Sequence, residues 1–245
     1  MDDIAIERIR FHAPVDGSPL WVADSGGKDS CCIVDLVKRS GVPAEYHYSP
    51  TTVDPPEVVR FLKRQHPETV FEQVQQSMWS LIRCQGILPT RYARYCCREF
   101  KEYGGEGRTV VLGIRAEESN RRRKRPLFAH CGKRRRHALC PIIDWTTADV
   151  WEYIRERQLP YCSLYDEGFA RVGCVCCPLK SPWMIARDIS RWPAVAARWR
   201  AACDYVYTCG DRAEKHESAD ALWQWWTHGQ PGLPPAERTL FAQGD

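Results

Sequence analysis

The 245-residue sequence predicts an α/β fold, a parallel sheet with helices on both faces and a helical C-terminal extension. Three observations carry that expectation. Short apolar, β-branched runs alternate with stretches of helical spacing. A glycine-rich turn joins the first such run to the first strong helical pattern. Beyond Pro182 the strand signals stop and a Trp- and Arg-rich tail begins. Alternating strands and helices pack as a parallel sheet covered on both faces.

Taken in order, residues 19–24 read as a short buried strand entering the Gly-Gly turn. Residues 29–39 place Ile33, Val34, Leu36 and Val37 at helical spacing, with Gly41 and Pro43 as the stop. Residues 44–48 form a second strand, and Pro55 or Pro56 opens a helix through Phe61 and Leu62, since proline suits a first helical turn. A third strand covers 70–74, and 77–84 and 92–103 are helical. The clearest strand is 109–114, Thr-Val-Val-Leu-Gly-Ile, β-branched and bounded by glycine. Residues 121–137 lack apolar periodicity and read as a loop. Residues 140–145 return to the core, and Thr146 or Thr147 caps a helix carrying Val150, Trp151, Tyr153 and Ile154. The expected division is an α/β domain over 1–181 and a helical extension over 182–245.

Apolar residues make up 44% of the chain, enough for one sizeable core. The start carries no basic segment followed by an apolar run, and no apolar stretch approaches the ~20 residues of a membrane helix. The expectation is a soluble cytoplasmic protein with no membrane partner. Thirteen cysteines, an odd number that includes the adjacent pairs Cys31-Cys32 and Cys96-Cys97, fit a disulfide scaffold poorly. In a reducing compartment clustered thiols point to metal or redox chemistry.

The net charge of +4 is concentrated. Nine positive charges lie within the sixteen residues 121–136, and without them the remainder stands at −5. Arg123, Lys124, Arg125, Lys133, Arg134, Arg135 and Arg136 are therefore candidates for binding a nucleic acid, tRNA or DNA, by neutralising phosphates. The bland alternative is a solvated basic loop.

Ser25-Gly26-Gly27-Lys28-Asp29-Ser30 carries the strongest chemical signal. Glycines let the backbone approach an oxyanion, serine hydroxyls donate to it, and the following helix N-terminus adds partial positive charge. The spacing fits neither a Walker A loop nor the dinucleotide fingerprint. The turn resembles the PP-loop ATP pyrophosphatases, whose signature is Ser-Gly-Gly-x-Asp-Ser. That resemblance implies a Rossmann-like, doubly wound, adenine nucleotide alpha hydrolase-like fold. It also implies ATP and Mg2+ as ligands, and cleavage between the α and β phosphates with Lys28 and Asp29 in the catalytic site.

Cys174 and Cys177 have Cys-x-x-Cys spacing, and Cys96-Cys97 supplies a second pair; four thiolates suit an iron–sulfur cluster or zinc. Arg94, Arg98, Lys101 and Arg171 lie close in sequence and would offset the negative charge. A Cys-Cys pair followed by a distant Cys-x-x-Cys resembles the cluster-bearing branch of the phosphoadenosine phosphosulfate (PAPS) reductase family. The resemblance implies a 4Fe–4S cluster on Cys96, Cys97, Cys174 and Cys177, with zinc as the rival and Cys176 as an alternative ligand. Gly113-Ile114-Arg115-Ala116-Glu117-Glu118-Ser119-Asn120-Arg121-Arg122 closes the clearest strand, at the sheet edge where open parallel sheets bind ligands. It resembles the same family's nucleotide-facing segment, implying roles for Gly113, Arg115, Glu118 and Arg122. The Thr51–Glu57 stretch resembles a further family segment without its glycine, and carries Asp54 into the candidate set.

Two activities follow. One is ATP-dependent adenylation of a substrate, expected to be nucleic acid, with sulfur transfer from a donor such as a cysteine desulfurase. The other is reduction of adenylylsulfate or its 3′-phosphorylated form. The reductases typically end in Glu-Cys-Gly-x-His, whereas this sequence ends Phe-Ala-Gln-Gly-Asp and offers only Thr208-Cys209-Gly210-Asp211. A third reading is a zinc- and nucleotide-dependent nucleic-acid-binding protein without turnover.

Overall fold

The computed structural model describes residues 1–102, 104–132, 135–210 and 216–228. Lys133, Arg134 and Asp211 lie outside the described residues, as does the C-terminal Phe-Ala-Gln-Gly-Asp. The chain divides into two compact units that do not follow the expected boundary at 181. The first comprises Met1–Ser49, Pro56–Gln73 and Tyr103–Val172; the second comprises Pro50–Pro55, Val74–Glu102 and Gly173–Asp245.

The first unit holds the sheet. Strands β1 (Leu20–Ala23), β2 (Ala44–Tyr48), β3 (Val70–Phe71), β4 (Thr109–Val111), β5 (Phe128–Cys131) and β6 (Arg136–Leu139) lie in the order β3-β2-β1-β4-β6-β5. Every pairing is parallel except β5 with β6. The strand order reverses between β1 and β4, so the crevice for a ligand falls at the carboxyl ends of those two strands.

Helix α1 (Asp2–Phe11) was not anticipated from the sequence. Its Ala5, Ile6 and Ile9 enter the core beside Leu20, Val22, Ile33, Leu36 and Ile154. Arg8 ties α1 to the turn after β6, with Nη1 donating to the Pro141 carbonyl and to Asp144 Oδ1, both at 2.7 Å. Helix α2 (Lys28–Ser40) has its apolar side buried and ends at Gly41, which takes the left-handed conformation that glycine adopts without cost. Helix α3 (Pro56–Gln65) presents Val58 and Leu62 to the glycine turn.

The basic segment expected to be one loop contains real structure. After α6 (Asn120–Arg123), capped by the Ser119 hydroxyl, the chain forms β5 and β6. Phe128 stacks between His12 and His137, at 4.3 and 5.2 Å between ring centroids. Ala138 and Leu139 are buried. Each strand has only four residues, so the alternation was too short to stand out. Helix α7 (Thr147–Glu156) begins at the expected Thr146 cap, reinforced by Asp149.

The second unit is helical: α4 (Met78–Gln85), α5 (Tyr95–Phe100), α8 (Pro182–Arg191), α9 (Pro193–Cys209) and α10 (Ala219–His228). Trp192, Trp199 and Trp226 are buried in a core that the sequence left unassigned, whereas Trp183 is exposed. Trp199 packs edge-on to Trp79 at 5.1 Å and lies 4.8 Å from Trp226. Both buried indoles find carbonyl acceptors, Trp199 at Val175 (3.1 Å) and Trp226 at Pro89 (2.8 Å). Large aromatic rings bury much area and still satisfy their one donor. Among the described residues, no helix is long and apolar enough to cross a membrane.

Candidate nucleotide site and thiol set

Immediately after β1 comes Asp24, a carboxylate only 1% exposed. It accepts from the Gly26 amide (3.1 Å), the Thr69 hydroxyl (2.9 Å) and, through a ring nitrogen contact at 2.6 Å, His66. A buried carboxylate must be paid with partners, and here those partners fix the start of the turn. Gly26 sits at φ 68°, and a Cβ there would meet Val58 Cγ1 at 2.9 Å. Only glycine fits both constraints. Gly113, at the end of β4, has the same steric role from the other side: a Cβ would lie 3.1 Å from the Asp29 backbone carbon.

Within the turn, Ser30 Oγ donates to the Gly27 carbonyl at 2.8 Å, and Ser25 Oγ to Ser30 Oγ at 3.2 Å. The Lys28 side chain is almost wholly buried, and its ammonium lies 3.1 Å from Asp29 Oδ2. The Lys28 amide, at the N-terminus of α2, donates to the Tyr165 hydroxyl at 2.9 Å. Burial pushes that phenol well above its ordinary pKa, so it stays neutral.

Arg115 was expected to clamp phosphate. It is 2% exposed and spent on protein partners. Nε donates to Asp29 Oδ1 at 2.6 Å, Nη1 to Glu117 at 2.8 Å and to the Trp145 carbonyl at 3.3 Å, and Nη2 to the Thr147 hydroxyl at 3.2 Å. Burial opposes its charge, but Asp29 and then Glu117 outweigh that and raise its pKa. Glu118 accepts from the Arg115 amide at 3.0 Å and pairs with Arg122, and with Arg171 at 3.3 Å. The Arg122 guanidinium is thus engaged by Glu118. Arg171, expected beside the thiols, belongs to the first unit and to Glu118. In the basic segment Arg121, Arg123, Lys124 and Arg135 are exposed, while Arg136 donates to the Gly104 carbonyl at 2.7 Å.

The four expected ligands Cys96, Cys97, Cys174 and Cys177 all lie in the second unit and are electrostatic neighbours. Cys96 donates toward Cys97, which holds the Cys97 thiol below its ordinary pKa while the same bond drives Cys96 up. Arg94 adds to the effect, with Nη2 3.8 Å from Cys97 Sγ. Lys101 answers the set: Cys174, then Asp54, Cys97 and Cys177, raise its pKa against burial. Asp54 itself accepts from the Thr51 amide and hydroxyl at 2.6 and 2.8 Å, and Cys174 Sγ lies 3.4 Å from that hydroxyl.

Cys176 stands apart. Its thiol is fully buried, and its backbone is left-handed at φ 54°. Its amide donates to Asp188 at 2.7 Å, and Asp188 also takes the Lys180 ammonium at 2.5 Å. The reversed backbone turns Cys176 toward Asp188 and leaves Cys174 and Cys177 with the other pair. Among the described residues, no three His, Cys, Asp or Glu side chains converge closely enough to hold one metal ion. Zinc draws thiolates to ~2.3 Å from a single point, whereas a cluster of several irons and sulfides is wider. The donor chemistry, four non-disulfide thiols offset by Arg94 and Lys101, suits either group.

Sequence reasoning missed Asp24, His66, Thr69 and Tyr165. A carboxylate closing an apolar strand immediately before Gly-Gly was the available signal for Asp24. Nothing in the sequence linked Tyr165 to Lys28, 137 residues away.

A mostly parallel sheet with its switch point between β1 and β4, opened by this serine–glycine turn, is the architecture of the PP-loop, adenine nucleotide alpha hydrolase-like class. Residues 19–180 match the phosphoadenosine phosphosulfate reductase domain, and the chain belongs to that family. It is similar to a Methanocaldococcus jannaschii protein of uncharacterized function, 26% identical over 84% of this chain and 46% of that one. Another from the same organism is 27% identical over 88% and 53%. The chain thus spans about half the length of these relatives. An adenosine 5′-phosphosulfate reductase of Lysinibacillus sphaericus is 25% identical over 77% of this chain and 85% of its own. In fold the chain is similar to a Candida auris phosphoadenylyl-sulfate reductase in complex with phosphate (TM-score 0.54, 18% identity, 69% and 87% covered). A Candida glabrata FMN adenylyltransferase with FAD and pyrophosphate gives a TM-score of 0.50 at 14% identity, with 76% and 70% covered.

Proposed function

We propose that this protein binds ATP at the Ser25–Ser30 turn, adenylates a nucleic acid, and supports sulfur transfer onto it. The single observation behind this reading is the buried Lys28–Asp29–Arg115 chain at the N-terminus of α2. In the adenylation step an acceptor oxygen attacks the α-phosphorus, the bond to the bridging oxygen of the β-phosphate breaks, and pyrophosphate leaves with that electron pair. Lys28 and the turn's amides meet the charge that grows on the leaving group, with Mg2+ as its further charge partner. Arg115 holds Asp29, and Asp29 holds the Lys28 ammonium in place. The exposed Arg121, Arg123, Lys124 and Arg135 supply phosphate contacts for the acceptor. Cys96, Cys97, Cys174 and Cys177 would hold a 4Fe–4S cluster, which when bound supplies an iron site for handling sulfur.

The test is anaerobic protein incubated with ATP, with and without tRNA or DNA. Pyrophosphate release matched by AMP bonded to the nucleic acid, or by free AMP when a sulfur donor is supplied, and dependent on Lys28, supports the reading; intact ATP under all conditions ends it. Sulfonucleotide reduction is the second reading, favoured by relatives named adenosine 5′-phosphosulfate reductase. Sulfite released from adenylylsulfate in the presence of a thiol reductant would establish it instead.

A further inference from the structure

In the second unit, α4 and α9 pack together and leave a cavity of about 130 Å3 between them. Trp79 and Arg83 come from α4, Arg198 and Tyr205 from α9, and Ala201 and Ala202 leave space beside them. The four larger side chains are paired reciprocally. The Arg83 guanidinium lies 5.6 Å from the Tyr205 ring centroid, and the Arg198 guanidinium 5.2 Å from that of Trp79. Each helix thus offers its arginine to the other helix's aromatic ring.

A guanidinium held over a ring still has N–H donors to offer an oxyanion. Among the described residues, neither Arg83 nor Arg198 has a carboxylate partner. Arg200, on the same α9, is paired with Asp204 and Asp220. Two cations are therefore left for something outside, beside aromatic side chains and the cavity. Inorganic phosphate would use the arginines and waste the rings, and so would an acidic peptide. A single-stranded nucleic acid uses both, because its phosphates meet the guanidiniums and its bases stack on aromatic faces.

We propose that this cavity binds a nucleotide unit of a single-stranded nucleic acid. The inference rests on the proposed function only for the class of acceptor, and gives that acceptor a second foothold outside the basic segment. The foothold adjoins the thiols: Trp79 rests on Trp199, whose indole donates to the Val175 carbonyl inside the Cys174–Cys177 turn.

The experiment is fluorescence anisotropy with a labelled single-stranded oligonucleotide and the full chain, without ATP. The Arg83→Gln/Arg198→Gln variant should bind about tenfold more weakly, through loss of the two cations beside the rings. Its plot of log affinity against log salt should be shallower by about 1.4, for two lost single-strand phosphate contacts. An Arg83→Lys/Arg198→Lys variant should recover the slope but not the affinity, a pattern that general loss of folding cannot produce. Unchanged binding in the Gln variant, alongside weakened binding in Arg123→Gln/Lys124→Gln, overturns the cavity proposal and leaves the nucleic-acid acceptor standing. No binding by the unmodified protein removes both. Competition by polyglutamate as strong as by unlabelled oligonucleotide overturns the proposal in favour of an acidic protein partner.

Discussion

Asp29 holds two buried cations at once, taking the Arg115 Nε–H on Oδ1 at 2.6 Å and the Lys28 ammonium on Oδ2 at 3.1 Å. The geometry sets the order in which substitutions act. Lys28→Ala removes the group that would meet the leaving pyrophosphate, and AMP formation should fall by about 10²–10³. Asp29→Asn leaves Lys28 present but unaimed, with Arg115 deprived of a charged acceptor. The fold should lose about 2 kcal/mol, as for other hydrogen bonds to charged groups, and kcat should fall while ATP still binds. Single-turnover rates with calorimetric ATP affinities check both. Equal turnover in Lys28→Ala and the unmodified protein would remove Lys28 from the mechanism.

Tyr165 and an incoming phosphate want the same N–H. The phenol accepts from the Lys28 amide at 2.9 Å, and that amide lies at the positive end of α2, where oxyanions bind. Tyr165→Phe should free the donor at the net value of one hydrogen bond, about 1 kcal/mol. A non-hydrolysable ATP analogue should then bind about fivefold tighter. Weaker binding would mean that the hydroxyl turns to donate to the nucleotide.

The left-handed Cys176 separates structural from ligating thiols. Cys176→Ser should leave iron content after anaerobic reconstitution near that of the unmodified protein. Cys174→Ser and Cys177→Ser should each lower it severalfold, with loss of broad absorbance near ~400 nm. Asp188→Ala breaks the Cys176 amide contact and strands the Lys180 ammonium, which is largely buried. Removing one partner of a buried pair costs about 3–5 kcal/mol, so that variant should lose thermal stability before it loses iron. Equal iron in all three cysteine variants would contradict the assigned set.

The parts legible in the sequence were those with local causes. The Ser25–Ser30 turn declared itself because glycine, serine and lysine each have a reason to sit there, and the strand before it and the helix after it were readable from spacing. Thr146 as a cap was likewise a neighbourhood property. What stayed hidden depends on long closures. Arg115 looked like an open clamp because its partners Thr147 and Asp29 lie 32 and 86 residues away. Arg171 looked like a neighbour of Cys174 because three positions separate them, yet it pairs with Glu118. The β5–β6 hairpin escaped because strands of four residues, set inside a basic segment, carry too little alternation. The tryptophan tail had no period to reveal that its indoles form a core with α4 and the cysteine turn.

Asp24 offers the sharpest separation between a structural and a chemical role in the nucleotide turn. It touches no expected ligand atom, but it orients the Gly26 amide and binds His66 and Thr69 beneath the loop. Asp24→Asn is nearly isosteric, and its amide nitrogen must face one of two oxygen positions that now accept hydrogen bonds. Facing the Gly26 N–H it sets donor against donor, and facing the other side it forces His66 and Thr69 to reverse their donor roles. Each broken bond to the carboxylate costs about 1.5–3 kcal/mol. The expected result is a lower unfolding midpoint and an ATP affinity reduced more than kcat, because the turn is displaced while Lys28, Asp29 and Arg115 keep their own bonds. His66→Gln, which can still donate to Asp24, should restore most of the affinity lost in His66→Leu. If Asp24→Asn binds the ATP analogue as tightly as the unmodified protein, the buried triad is scaffolding alone and the turn's shape comes from Gly26 and its Val58 and Leu62 neighbours.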